Sequence, residues 1–141
     1  MHFNVGLLKI NFYFCPDSII KMMNKIVIDL QYLKELSSGN REFEIEMIDM
    51  YLAQTPDIVS QIVIAFHEND LKKVRSLSHK LKSSVIIFGA KLFHEKLGEI
   101  EELAADEKNV VQISKLINIV EEQSRLSVEQ LLKEKFQESI P

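Results

Sequence analysis

The sequence has few residues that break helices and few that could cross-link the chain. Its 141 residues include four glycines, three prolines, no tryptophan and one cysteine, Cys15. Scarce glycine and proline favour helices over a turn-rich β architecture. A lone cysteine excludes an intramolecular disulfide, and this is typical of a reducing compartment, so we expect a cytoplasmic protein.

A strong charge of one sign and long apolar runs are also absent. The formal net charge is −4, with 46% hydrophobic and 27% charged residues, which is ordinary usage for a globular protein. A mildly acidic chain gives no overall reason to expect a nucleic acid or an acidic membrane surface as a partner. No apolar run reaches the roughly 20 residues of a membrane-spanning helix. We therefore expect neither nucleic acid nor membrane among the partners.

The N-terminal residues differ in pattern from the rest of the chain. Residues 3–15 are apolar but interrupted by polar residues, and they lack the basic leader and cleavage site of a secretory signal. Met22 and Met23 directly precede the first well-patterned segment. Two interpretations of residues 1–24 are thus equally open: the true translation start is Met22 or Met23, or the leader is a genuine docking segment. We assign residues 1–24 as a leader of uncertain status and residues 25–138 as one helical domain.

Apolar residues recur at helical spacing in five segments separated by short breaks. Asn40 and the pair Asn69-Asp70 provide helix starts, and Gly39 and Gly89 follow predicted helix ends. Long helices joined by short loops pack antiparallel, so we predict an all-α fold, an antiparallel up-down four-helix bundle with a short additional N-terminal helix. The predicted segments are 30–36, 40–66, 70–88, 92–103 and 110 into the 130s.

One proline lies inside the second predicted helix. Pro56 lacks an amide donor, and its ring clashes with the preceding turn of a helix. We therefore expect the second helix to kink or to restart at this residue.

The third predicted helix carries a histidine outside its apolar stripe. At about 100° per residue, one narrow sector contains the predicted core residues Val74, Leu77, Leu81, Val85 and Phe88. His79 lies well outside that sector. Residues three, four or seven positions away share its surface. We call this surface the His79 face, which comprises His79, Lys72, Arg75, Lys82, Ser83 and Ile86.

The His79 face has a chemical interpretation. An imidazole nitrogen is a nucleophile that can carry a phosphoryl group, and nearby cations would stabilise that dianion. No acidic residue of this helix lies beside His79 to act as a general base, and no glycine-rich phosphate loop or nucleotide-binding motif is visible. The site is therefore suited to hold and pass a phosphoryl group, with Lys72, Arg75 and Ser83 as binding residues. Ile86 would join the preceding helix in a docking patch.

The segment Ser78–Ser84, followed by Phe88-Gly89-Ala90 and Leu92, resembles the pattern of histidine-containing phosphotransfer (HPt) domains, H-x-L-K-G-S-S and then an apolar-Gly-Ala step and a leucine. The resemblance covers about residues 27–132. One departure is Ser83, where the family usually has glycine; a serine could bond a phosphate oxygen or narrow the range of partners. The residues that match directly are His79, Leu81, Lys82, Ser84, Gly89, Ala90 and Leu92.

This resemblance implies a phosphorelay carrier. His79 would accept a phosphoryl group from an aspartate of a receiver domain, often part of a hybrid sensor histidine kinase. It would pass the group to an aspartate of a response regulator. Lys82 would neutralise the phosphoryl charge. Receiver domains supply the Mg²⁺, so the resemblance implies no cofactor and no ATP-dependent activity in this chain.

The sequence argues against two functions other than a carrier. Histidine kinases usually have an acidic residue after the histidine and a separate ATP-binding domain, whereas Lys80 follows His79 here. A non-catalytic docking bundle would bind receiver domains without phosphotransfer, and the combination of His79 with Lys82 argues against it. Of the other histidines, we interpret His67 as a helix-end residue and His94 as a packing or capping residue.

An acidic run follows in the fourth predicted helix. Glu99, Glu101 and Glu102 are most simply interpreted as a solvated face of that helix.

Overall fold

A computed structural model describes residues 26–137 of the chain. The leader assigned to residues 1–24 lies outside the described residues, as do the two ends, 25 and 138, of the assigned domain. The described residues contain helices and no strand, so the predicted all-α class is confirmed. The five helices are α1 (Gln31–Ser37), α2 (Arg41–His67), α3 (Leu71–Ile87), α4 (Lys91–Asp106) and α5 (Val110–Gln137).

Side-chain caps define where two of the long helices begin. The Phe43 backbone N–H donates to Asn40 Oδ1 at 3.1 Å, and the Lys73 backbone N–H donates to Asp70 Oδ1 at 3.1 Å. These bonds satisfy amides that the first turn of a helix otherwise leaves unpaired. The predicted helix starts at Asn40 and Asp70 are thereby confirmed.

Helix α2 continues through Pro56 as one element of 27 residues. Of the two predicted outcomes at this proline, the restart is therefore wrong, and the kink stays a prediction. A proline inside a helix costs about 3 kcal/mol. Burial of Tyr51 before the proline and of Ile58 and Ile62 after it contributes about 1.5–3 kcal/mol for each apolar side chain. Packing on both sides of Pro56 thus outweighs the local cost.

The four long helices form a ring in which each packs against two neighbours, in the order α2, α3, α4, α5. Helices that follow one another along the chain are joined by short loops, as expected for an up-down bundle. The Tyr51 hydroxyl of α2 donates to Ser127 Oγ of α5 at 2.7 Å and closes the ring. Fully buried side chains fill the centre, including Leu33, Ile48, Ile62, Leu81, Phe93 and Leu97.

The core stripe of α3 agrees with the predicted sector except at one position. Val74, Leu81 and Val85 are fully buried. Leu77 is half-buried and packs against the core, as predicted, and Ser78, which lies outside the predicted sector, is fully buried as well. The buried stripe of α3 thus also includes Ser78, because this helix packs against both α2 and α4.

The residues before α1 extend across the end of the bundle where α3 meets α4. The Asp29 backbone N–H donates to the Phe88 carbonyl at 2.8 Å, and the Val27 backbone N–H donates to Gln130 Oε1 of α5 at 2.9 Å. Gly89 forms the α3–α4 junction with φ of +68°, and a Cβ on it would overlap Asp29. None of the helices within residues 26–137 is long and apolar enough to cross a membrane.

Candidate functional site

His79 lies in the middle of α3 on its solvent side, and its side chain is 67% exposed. The residues on either side in the core stripe, Ser78 and Leu81, are fully buried. The backbone that carries the imidazole is therefore fixed by packing while the ring itself faces solvent. This combination gives a partner protein access to a ring whose position is well defined.

A carboxylate from the neighbouring helix contacts the His79 ring. Glu101 Oε2 of α4 lies 2.7 Å from His79 Nδ1, and Glu101 Oε1 accepts a hydrogen bond from Lys82 Nζ at 2.8 Å. One carboxylate thus bridges the imidazole and the ammonium. The Glu101 side chain is only 18% exposed, so the interpretation of this residue as part of a solvated face is wrong. His79 has an acidic neighbour after all, supplied by α4 instead of α3.

The two partners change the ionisation of Glu101. The hydrogen bond from Lys82 is the largest cause that lowers the pKa of this carboxyl, and the bond with His79 acts in the same direction. Partial burial opposes them but does not reverse the shift. Glu101 therefore carries its negative charge at neutral pH.

Lys82 lies between α3 and α4 with its ammonium at the edge of the bundle. Its side chain is 28% exposed, and its aliphatic stem passes Gly98 of α4, where a Cβ would lie 3.8 Å from Lys82 Cδ. Lysine commonly buries its stem in this way and keeps its charge near water. The Lys82 stem thus passes Gly98, and its ammonium bonds to Glu101 one turn further along α4.

One open groove is lined by His79, and a second groove lies next to it. The first has a volume of about 500 Å³ and is lined by Lys72, Arg75, Ser76, His79 and Glu101. Arg75 and Glu101 also line the second groove, together with Lys82. The structure therefore brings three predicted cations, Lys72, Arg75 and Lys82, to the side of α3 where Glu101 lies.

Ser83 and Ile86 lie further along α3, one and two turns from His79. Ser83 is exposed, and Ile86 is 40% exposed. Within the described part of the chain, the linings of these two grooves do not include Ser83 or Ile86. Towards α2, a small cavity of about 60 Å³ has Met50 and Ser84 in its lining, and Met50 is 53% exposed. Exposed apolar side chains therefore occur on both α2 and α3.

The other described histidines have different surroundings. His67 is exposed in the last turn of α2, with its ring centroid 5.9 Å from that of Phe66. His94 is half-buried in the first turn of α4. Within residues 26–137, no three histidine, cysteine, aspartate or glutamate side chains cluster in a way that could hold a metal ion.

Sequence comparison identifies a family for most of this bundle. The family model of the Hpt domain matches residues 46–134, more than half of the chain. The matched residues run from α2 to α5 and include His79, Lys82 and Glu101. No curated protein and no solved structure matches the sequence significantly.

Proposed function

This chain belongs to the Hpt domain family, and on that premise we propose that His79 is its phosphoryl-carrying residue. Hpt domains act in phosphorelay histidine phosphotransfer and interact with receiver domains of two-component systems. The family match therefore establishes the class of reaction, and the geometry on α3 supports the choice of residue.

The observation that carries this proposal is the setting of His79 among the histidines of the matched segment. Its ring is 67% exposed in the middle of a helix, with three cations on the same side. His67 lies at a helix end, and His94 is half-buried. Of these three, only His79 combines access for a partner with positive charge for a phosphoryl group.

In the proposed reaction, a ring nitrogen of His79 attacks the phosphorus of an aspartyl phosphate on a receiver domain. The bond between phosphorus and the aspartate oxygen breaks, and the aspartate leaves as a carboxylate. Lys82 neutralises the negative charge of the transferred group, and Lys72 and Arg75 add positive potential where an acidic receiver site must dock. The partner receiver supplies the Mg²⁺.

We assign this chain the middle position in a relay. It would accept the phosphoryl group from the receiver of a hybrid sensor histidine kinase and pass it to the receiver of a response regulator. Such a carrier needs no ATP-dependent activity of its own. The relay would take place in the cytoplasm, in keeping with a single cysteine. Ile86 and Met50, exposed on adjacent helices, would contact the docked receiver.

The functional domain extends upstream of the family match. The backbone N–H groups of Val27 and Ile28 donate to Gln130, and that of Asp29 donates to the Phe88 carbonyl. Both acceptors belong to the matched segment. These contacts support one domain over residues 25–138, with α1 as its first helix.

The test is transfer of label from a phosphorylated receiver domain. We expect the wild-type chain to acquire label that is acid-labile and base-stable, and His79→Gln to acquire none while keeping its helical circular dichroism. His67→Gln is the matched control, because it removes another exposed imidazole, and it should be labelled at the wild-type rate. Undiminished labelling of His79→Gln would refute the assignment.

Two further measurements separate the alternatives. ATP with Mg²⁺ and no partner should leave the chain unlabelled, and clear autophosphorylation would indicate a kinase instead. Receiver domains that bind the chain but transfer no label would indicate a docking bundle without phosphotransfer.

A further inference from the structure

The three cations beside His79 differ in what they already contact. Lys82 Nζ donates to Glu101 Oε1 at 2.8 Å, so a carboxylate already balances its charge. In the part of the chain that the structure describes, the side chains of Arg75 and Lys72 form no hydrogen bond and no ion pair. Both side chains are exposed. The positive charge that is still available in this site therefore comes from Arg75 and Lys72.

A phosphoryl group on His79 would need that available charge. Such a group carries about two negative charges near neutral pH, whereas the pair formed by Lys82 and Glu101 has no net charge to offer. Lys82 can donate a hydrogen bond to the group, but the neighbouring Glu101 carboxylate repels the same phosphoryl oxygens. A cation whose charge is not yet balanced therefore contributes most to the stability of the phosphorylated form.

Arg75 is placed to reach a group on the His79 ring. It precedes His79 by four residues, so the two side chains share one face of α3, one turn apart. Side chains of a helix lean towards its N-terminus, so we expect the imidazole to lie over the turn that carries Arg75 and Ser76. These two residues line the groove of about 500 Å³ that His79 also lines. A phosphoryl group in that groove would lie next to Arg75.

We propose that Arg75 binds the phosphoryl group once it is attached to His79, through paired N–H···O bonds to two of its oxygens. A guanidinium presents its donors in a planar fork that matches two phosphoryl oxygens, whereas an ammonium acts as a point charge. Lys72, seven residues from His79, adds such a point charge to the same groove. The inference rests on the proposed phosphotransfer at His79 and adds to it a residue that holds the product.

This role affects the equilibrium of the transfer as well as its rate. A contact that exists only in the phosphorylated form stabilises phospho-His79 relative to the aspartyl phosphate of the receiver. A contact that only helps the receiver to dock changes the forward and the reverse rate by the same factor, and it leaves the equilibrium ratio unchanged. The ratio therefore distinguishes an arginine that binds the phosphoryl group from one that binds the receiver.

The first measurement is the equilibrium ratio of phospho-His79 to phospho-aspartate after the full-length chain is mixed with a phosphorylated receiver domain. We expect Arg75→Ala to lower this ratio by about 5- to 10-fold, the effect of one bidentate ionic contact at an exposed site. Arg75→Lys should recover only part of the loss, because lysine restores the charge but not the fork.

Lys73→Ala is the matched control for the loss of charge. It removes one positive charge from an exposed position of the same helix, and it lies about 200° from Arg75 around the helix axis. Its equilibrium ratio should equal that of the wild type. Because Lys73→Ala and Arg75→Ala change the net charge of α3 equally, a difference between them reports a contact with the phosphoryl group and not the general potential of the helix.

The second measurement is the pKa of the phosphoryl group on His79, obtained from its phosphorus-31 chemical shift during a pH titration. A cation in contact with the group favours the dianion, so this pKa should be lower in the wild type than in Arg75→Ala. Lys73→Ala should match the wild type. If Arg75 only supported the structure of α3, its loss would lower the helical circular dichroism and leave the phosphoryl pKa unchanged.

Two results would overturn this inference and leave the proposed function standing. One is an equilibrium ratio in Arg75→Ala equal to that in Lys73→Ala, even if transfer to Arg75→Ala is slower. The other is a phosphoryl pKa that does not change when Arg75 is replaced. Failure of the proposed function itself would look different, because His79 of the wild-type chain would then acquire no phosphoryl group from a receiver domain.

Discussion

Replacing Gly89 by alanine tests how the N-terminal segment is joined to the bundle. Gly89 has φ of +68°, and a Cβ built on it would lie 2.7 Å from the Cβ of Asp29 and overlap its carbonyl oxygen. The variant therefore faces two separate costs. One is the left-handed backbone, and the other is displacement of Asp29, whose N–H donates to the Phe88 carbonyl at 2.8 Å.

The size of the effect follows from these two costs. A left-handed conformation costs alanine about 1–2 kcal/mol, and the lost hydrogen bond costs about 0.5–1.5 kcal/mol. The smaller conformational entropy of unfolded alanine offsets about 0.4–1 kcal/mol of this. We therefore expect Gly89→Ala to lower the free energy of unfolding by about 2 kcal/mol.

Gly98→Ala is the matched control on the next helix. Gly98 lies inside α4, and a Cβ there would meet Lys82 Cδ at 3.8 Å, an ordinary van der Waals contact. Alanine in a helix interior is more stable than glycine by about 0.5–1 kcal/mol. Gly98→Ala should therefore raise the free energy of unfolding by that amount.

Urea denaturation followed by circular dichroism measures both variants. Gly89→Asn separates the two costs, because asparagine tolerates a left-handed backbone but still carries a Cβ that meets Asp29. Compared with Gly89→Ala, this variant should recover only the part of the lost free energy of unfolding that is due to the left-handed backbone. If Gly89→Ala proved as stable as Gly98→Ala, the contact between Asp29 and the α3–α4 junction would not exist as described.

Two other predictions concern the core and the His79 face. Burial raises the pKa of Tyr51 from its usual 10 to about 12, so the stability that depends on its neutral phenol is complete below pH 10 and is lost as the pH rises through 12. Tyr51→Phe, which loses the bond to Ser127, should be less stable at pH 7 by about 1 kcal/mol. In urea denaturation, its free energy of unfolding should fall less than that of the wild type between pH 10 and pH 12. An equal fall in both proteins would contradict this account. Ser83→Gly should broaden the set of receiver domains that transfer label to His79, because it removes a side chain one turn from the imidazole, and an unchanged set in a receiver panel would contradict this.

Local sequence patterns were sufficient to predict the positions of the helices and the exposure of the His79 side chain. Apolar spacing located the four long helices, and the caps at Asn40 and Asp70 located two of their starts. The same spacing placed His79 outside the buried stripe, and its ring is 67% exposed. These features depend on neighbours within one or two helical turns, and such neighbours are near in sequence as well as in space.

Features that depend on packing between helices were predicted less well. The restart at Pro56 did not occur, because burial on both sides of the proline outweighs a local cost. Ser78 is buried in addition to the predicted apolar stripe, because α3 packs against two helices at once. Both features depend on contacts with other helices, and the apolar spacing along a single helix carries no information about those contacts.

The sequence alone determined the fold class, the helix boundaries to within a few residues and the cationic His79 face, because each follows from spacing along a single helix. Only the tertiary structure decided that Glu101 contacts His79 and Lys82. That contact depends on the register at which α4 returns along α3 after Gly89, and the periodicity of either helix carries no information about this register. Glu101, which the sequence places on a solvated surface, thus lies in direct contact with the imidazole.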